Sequence, residues 1–227
     1  MTVSCSALAF LMLPVALLGC RDGTPDSRRT GDGLSIPPGG SAAPPVVLFL
    51  GTSLTAGYGL TRDQAYPALL ARRIAAEGLP HRVVNAGMSG ETSTGARARA
   101  AWLMRQPFDV IVIETGANDM LRGADPDATR ANIQALVDRI RAARPEARIV
   151  LLGLRAPLTL GALYARRFTA LYEELADRNE LPLVPSLLEG VGGVAALNLP
   201  DGVHPNAAGQ RRIADNVWEV LREELTD

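Results

Sequence analysis

From residue 46 to the C-terminus, short apolar runs alternate strictly with longer stretches whose apolar residues recur at helical spacing, and this alternation restricts the fold more than any other feature. The runs Val46 to Leu50, Arg82 to Asn85, Val110 to Glu114, Ile149 to Gly153 and Leu181 to Val184 are rich in Val, Ile and Leu and bounded by Gly, Pro or Asn, which predicts five strands. Between them, sets such as Ile133, Leu136, Val137 and Ile140, or Phe168, Leu171, Tyr172 and Leu175, each fall on one face of a helix. Ile213, Val217, Val220 and Leu221 close the series. Five strands alternating with five helices predict an α/β protein: a three-layer α/β/α sandwich around a five-stranded parallel sheet. The continuous apolar character of the first and third strands suits positions covered on both faces.

The chain ahead of residue 46 cannot build such a core. Residues 21 to 45 hold five Gly and five Pro and almost no large apolar side chains, the composition of a linker. Before it, an apolar run from Ala7 to Leu18 has the length of a signal-peptide core and falls short of the ~20 residues a membrane-spanning helix needs. The run ends in Leu17, Leu18, Gly19 and Cys20, which resembles a bacterial lipobox with Cys20 as the lipidated residue; the alternative is an ordinary secretion signal cut at a small residue. No Lys or Arg precedes Arg21, a departure from the usual signal pattern. The expected organisation is a signal peptide over 1–20, a linker over 21–45 and one domain over 46–227, exported to the periplasm or tethered to a membrane through Cys20.

Composition narrows the chemistry. A net charge of -1 offers no basic field for nucleic acid, so no nucleic-acid partner is expected. All 23 basic residues are Arg, which removes Schiff-base lysines and the lysine of a phosphate-binding P-loop. Cys5 and Cys20 are the only cysteines and both lie in the leader, leaving the domain without a disulfide or a thiolate ligand.

In open α/β sheets, sites form beyond the carboxyl ends of the strands. Four marked stretches fall there: GTSLTAG after the first strand, NAGMSGETS after the second, ETGAND after the third and DGVHPN before the last helix. Ser53, three residues past Leu50, is either a nucleophile on a sharp turn or, with Thr52, a cap of the following helix. His204 stands three residues after Asp201, a spacing that lets a carboxylate orient one ring nitrogen while the other faces a hydroxyl. A metal site is the competing use of that pair, but with His81 as the sole further imidazole, in a loop at the opposite edge, it is short of ligands. Gly90 and Asn118 are either oxyanion donors or a turn glycine and a helix cap. Four unrelated structural explanations at four strand ends are a poorer account than one site.

In order and spacing, GTSLTAGYG, NAGMSGETS, TGANDMLRG and DGVHPN resemble the four blocks of the SGNH (GDSL-like) hydrolases, most closely the branch of thioesterases, lysophospholipases and arylesterases, and the likeness spans residues 46 to 225. The resemblance implies a flavodoxin-like fold, Ser53 as nucleophile with Asp201 and His204, and an oxyanion hole of Ser53, Gly90 and Asn118. It also implies no cofactor or metal and a monomer acting on a small-molecule ester or thioester. Thr52 stands where most members have Asp, Glu91 where Asp is usual, and Ala117 where this branch commonly has Gly. Residues 154–163 and the loop 185–199, with Leu154, Leu158, Leu160, Leu187, Leu188, Val194 and Leu197, are the expected walls of an acyl or aryl pocket, with Leu154, Leu158 and Leu160 as the substrate-binding residues. Two other uses stay open: a carbohydrate or cell-wall acetylesterase, and a lipid-anchored module that holds an acyl chain without cleaving it.

Overall fold

The computed structural model describes residues 43–226. The signal peptide, Cys20 and nearly all of the expected linker lie outside the described residues. Strands β1 (Val46–Gly51), β2 (Arg82–Gly87), β3 (Val110–Glu114), β4 (Arg148–Leu152) and β5 (Leu183–Val184) form one parallel sheet in the order β2-β1-β3-β4-β5. Every residue of β1 and of β3 is buried, because the uninterrupted apolar runs lie inside the sheet with helices above and below.

The long helices are α2 (Tyr66–Ala76), α3 (Ser93–Leu103), α5 (Pro126–Ala143), α6 (Ala162–Asn179) and α7 (Ala207–Leu221), with short helices α1 (Ser53–Ala56), α4 (Ala117–Leu121) and α8 (Glu223–Thr226). Helix α2 packs on α7, while α3, α5 and α6 pack in series, giving a layer on each side of the sheet. The periodic sets drive this packing: Ile133, Leu136, Val137 and Ile140 of α5 and Phe168, Leu171, Tyr172 and Leu175 of α6 are all buried. The starts of α5 and α7 are fixed by local polar bonds. Asp125 accepts from the Asp127 N–H at 3.1 Å, and Asn206 accepts from those of Ala208 and Gly209 at 2.9 and 3.1 Å.

Only β3 has the expected bounds; β1 runs one residue further, to Gly51, β4 is shifted by one residue to Arg148–Leu152, and β2 and β5 differ by two. β2 runs on to Gly87, pairing Ala86 and Gly87 with Leu50 and Gly51, although neither residue carries the branched side chain that marks a strand. β5 is only Leu183–Val184, since Pro182 has no N–H to give the ladder and contributes its carbonyl to Leu151 alone. The chain moves from β1 out to β2 and then returns past β1 to β3. That reversal opens a crevice beyond the carboxyl ends of β1 and β3.

Candidate active site

Strand β1 ends at Gly51, where a Cβ atom would lie 2.0 Å from the Thr55 hydroxyl and 2.8 Å from Oε2 of Glu114, so no larger residue fits the turn into α1. Thr52, at the N-cap position, makes no capping bond; its hydroxyl is turned inward to Glu114. Ser53 opens α1 with its Oγ 3.0 Å from Nε2 of His204. The capping explanation for Thr52 and Ser53 therefore fails, as both hydroxyls are committed elsewhere.

His204 is held from its other side. Its Nδ1 lies 2.7 Å from Oδ2 of Asp201, and Oδ1 of the same carboxylate accepts the backbone N–H groups of Val203 and His204, each at 2.9 Å. These bonds, led by the two to His204, lower the Asp201 carboxyl to about 2. A carboxylate at Nδ1 places the proton there and leaves Nε2 to accept from the Ser53 hydroxyl. The ring of Tyr58 lies against the imidazole, centroids 4.3 Å apart, and limits its rotation.

Across the crevice, Gly90 sits at φ 80°, a left-handed conformation that favours glycine. Helix α4 clamps the segment around it. Asn118 gives one side-chain N–H to the Glu91 carbonyl at 3.0 Å, leaving its second free, and Arg122 donates to the Gly90 carbonyl at 2.9 Å. Asp119, buried, accepts from the Ser93 N–H and hydroxyl at 2.8 and 2.6 Å. Glu91 in turn pairs with Arg99 at 2.5 Å, and Arg99 reaches the carbonyls of Ala86 and Gly51 at 2.8 and 3.4 Å. One guanidinium thus ties the ends of β1 and β2 to the Gly90 segment.

Under the Ser53 turn lies Glu114, fully buried and surrounded by hydroxyls rather than cations. It accepts from the Thr52 N–H, the Thr52 hydroxyl and the Thr55 hydroxyl, and Thr55 meets Tyr66 Oη at 2.8 Å. Burial raises the Glu114 carboxyl, opposed by the donors from Thr52 and Thr55. Arg99, Glu114, Asp119 and Arg122 were not singled out from sequence. The signal available was a Glu closing an otherwise apolar central strand, a position that demands hydrogen-bond donors.

Ser53, Gly90, Asn118 and His204 line a cleft of about 290 Å³ whose walls are largely apolar: Tyr58, Met120, Leu121, Leu154, Leu188 and Val203. Leu154 is in this wall as expected, whereas Leu158 and Leu160 are not. The short helical turn Leu158–Leu160, closed by Leu160 N–H to Pro157 and Gly161 N–H to Leu158, projects them outward, 74% and 43% exposed. Leu158 borders a separate depression beside Ala165 and Arg166. Leu188, from the expected loop after β5, is in the wall, while Leu187, Val194 and Leu197 are not among its lining residues. A larger depression of about 590 Å³ runs beside β2 and contains no hydroxyl–imidazole pair. His81 precedes β2, away from the cleft, and is only partly exposed; burial lowers its basicity. Among the described residues, no cluster of three His, Cys, Asp or Glu side chains is placed to hold a metal ion.

A hydroxyl, an imidazole and a carboxylate in line at the switch point of a parallel sheet, opening on an apolar cleft, are the arrangement of a serine hydrolase. The comparisons agree. Residues 49–212 match the model of the GDSL-like lipase/acylhydrolase family. Esterase TesA of Pseudomonas aeruginosa is 41% identical over 182 residues, 80% of this chain and 90% of that protein. Thioesterase 1/protease 1/lysophospholipase L1 of Escherichia coli strain K12 is 36% identical over 183 residues, 80% of this chain and 86% of that protein. The crystal structure of psychrotrophic esterase EstA from Pseudoalteromonas sp., inhibited by monoethylphosphonate, superposes with TM-score 0.74 at 32% identity, covering 80% of this chain and 99% of EstA. The chain belongs to the GDSL-like lipase/acylhydrolase family and is a hydrolase of ester or thioester bonds.

Proposed function

We propose that Ser53 is the nucleophile of a carboxylic-ester and thioester hydrolase whose acyl group occupies the cleft walled by Leu154 and Leu188. The observation that carries this is the continuous line from Asp201 Oδ2 to His204 Nδ1, 2.7 Å, and from His204 Nε2 to Ser53 Oγ, 3.0 Å, ending at the mouth of that cleft. Ser53 Oγ attacks the carbonyl carbon as its proton passes to Nε2, and Asp201 stabilises the imidazolium. The Ser53 and Gly90 N–H groups and the free N–H of Asn118 receive the oxyanion. His204 returns the proton to the departing alcohol or thiol, leaving an acyl-serine. Water, deprotonated by the same imidazole, then releases the acid. No step requires a metal or cofactor.

The leader supports export, with Cys20 as a lipid attachment point and residues 21–45 as the tether. The enzyme acts as a monomer. The deciding experiment is turnover of a p-nitrophenyl acyl ester panel by the wild type and Ser53→Ala, with peptide mapping after phosphonate treatment. Phosphonate on Ser53 and an inactive Ser53→Ala variant are expected; a fully active Ser53→Ala variant overturns the reading.

A further inference from the structure

The large apolar side chains that this domain leaves exposed are not scattered. Among the described residues there are nine, and eight of them stand on segments that follow the carboxyl ends of the strands, three of them in the wall of the cleft itself. Every strand contributes: Tyr58 after β1, Met88 after β2, Leu121 after β3, Leu158 and Leu163 after β4, and Val203 after β5. The ninth, Trp102, is at the far end of α3. Tyr58, Leu121 and Val203 are at once exposed and part of the cleft wall, so the apolar lining runs out onto the surface without a polar break at these points. The start of α6, which carries Leu163, is fastened to the segment after α4 by Tyr164 Oη donating to the Ala124 carbonyl at 3.0 Å.

We propose that these exposed side chains form a docking surface for a lipid layer, against which the mouth of the cleft opens so that acyl esters enter without crossing water. The proposal rests on the esterase reading and on the leader, and goes beyond both. Three observations choose lipid over another occupant. The exposed apolar side chains are separate ones on segments after all five strands, with Tyr58, Leu121 and Val203 at the cleft itself, a pattern that a fluid layer of acyl chains can fit around. A second copy of the chain seated on this surface would close both mouths and shut substrate out. The sequence also carries an apolar run closed by the Leu17–Cys20 lipobox-like stretch, followed by 25 Gly- and Pro-rich residues before the domain, so that an anchor at Cys20 would keep the domain at the lipid layer.

The test uses the full chain with Cys20→Ala, so that no attached lipid can hold it, and phosphatidylcholine vesicles. This chain is expected to co-sediment with the vesicles, and adding Met88→Asp and Leu163→Asp is expected to lower the bound fraction by about tenfold or more, since two apolar contacts are replaced by charges. Both chains should hydrolyse a water-soluble p-nitrophenyl ester equally, while only the first should work faster on an acyl ester dissolved in the vesicles. Equal sedimentation of the two chains overturns the proposal, as does failure of the Cys20→Ala chain to bind. A vesicle-free dimer that the two substitutions dissociate overturns it in favour of a self-interface. Loss of soluble-ester turnover in the starting chain would count against the esterase reading instead, and the mass of Cys20 in the wild type tests the anchor separately.

Discussion

Thr52 gives both its backbone N–H and its hydroxyl to the buried carboxylate of Glu114, at 2.7 and 2.9 Å. The residue before Ser53 is therefore a donor to an acid directly beneath the turn, which explains how Thr serves at a position where an Asp would bring two carboxylates together.

Burial holds the Glu114 carboxyl above its ordinary 4.5, so this group contributes stability that is complete below that pH and is lost as pH rises through the elevated folded value. Relative to Glu114→Gln, which does not titrate, the wild type should lose unfolding free energy over that window, by about 1.4 kcal/mol per unit of elevation. Thr52→Asp should steepen the loss, because two adjacent carboxyls cannot both ionise cheaply. Urea unfolding at several pH values measures both effects. A pH-independent difference between wild type and Glu114→Gln would remove Glu114 as the titrating group.

Arg99 is the second support, pairing with the buried Glu91 and reaching the ends of β1 and β2. Arg99→Ala strands the Glu91 carboxylate without a counter-charge and should cost about 3–5 kcal/mol of stability. Arg99→Met with Glu91→Met should recover part of that loss, since packing replaces the pair. Denaturation midpoints of the two variants decide it, and a single Arg99→Ala change that costs nothing would show the pair to be incidental.

The sequence made the layers legible because the core strands are unbroken apolar runs and the helices repeat their buried residues at 3.6 spacing, as Ile133 to Ile140 and Phe168 to Leu175 do. Ser53, His204 and Asp201 were legible because chemistry-bearing residue types stand at strand ends in a recognisable order. What the sequence left hidden depends on distances that no local pattern encodes. Glu114 and Thr52 are 62 residues apart, and Asp119 and Ser93 are 26 apart. Leu158 and Leu160 misled for a related reason: an apolar residue beside a site reads the same whether its turn faces in or out. Pro157 and Gly161 frame a turn that faces out.

Asn118 gives one side-chain N–H to the Glu91 carbonyl, and the proposed function assigns the other to the developing oxyanion. Asn118→Ala should lower kcat by about 100- to 1000-fold with a small change in KM, since the oxyanion forms after binding. Asp201→Asn, which replaces the carboxylate at His204 Nδ1 by a neutral amide whose N–H favours the wrong tautomer, should likewise act on kcat, by up to about 10⁴-fold. Steady-state kinetics on one soluble ester tests both. An effect confined to KM would make Asn118 a residue that only places the substrate.

Acyl-chain preference follows from the cleft itself. At about 290 Å³ it sits near the lower end of the roughly 300–1000 Å³ typical of ligand pockets, and its walls offer Leu154, Leu188 and Met120 to a hydrocarbon chain. Each buried CH₂ contributes up to about 0.8 kcal/mol, so kcat/KM should rise several-fold per carbon until the cleft is full. Butyryl to octanoyl esters should then exceed acetyl esters. Leu188→Asp should flatten the rise, because it places a charge in the wall, and should leave acetyl turnover nearly intact, because an acetyl group ends close to Ser53. Leu158→Asp, outside the cleft, should leave the chain-length dependence on soluble esters unchanged, in contrast to Leu188→Asp. A p-nitrophenyl ester series with the wild type and both variants makes the comparison. If acetyl esters prove best and acetylated sugars surpass aryl esters and thioesters, the apolar wall is not the acyl site and the enzyme is a deacetylase acting through the same serine.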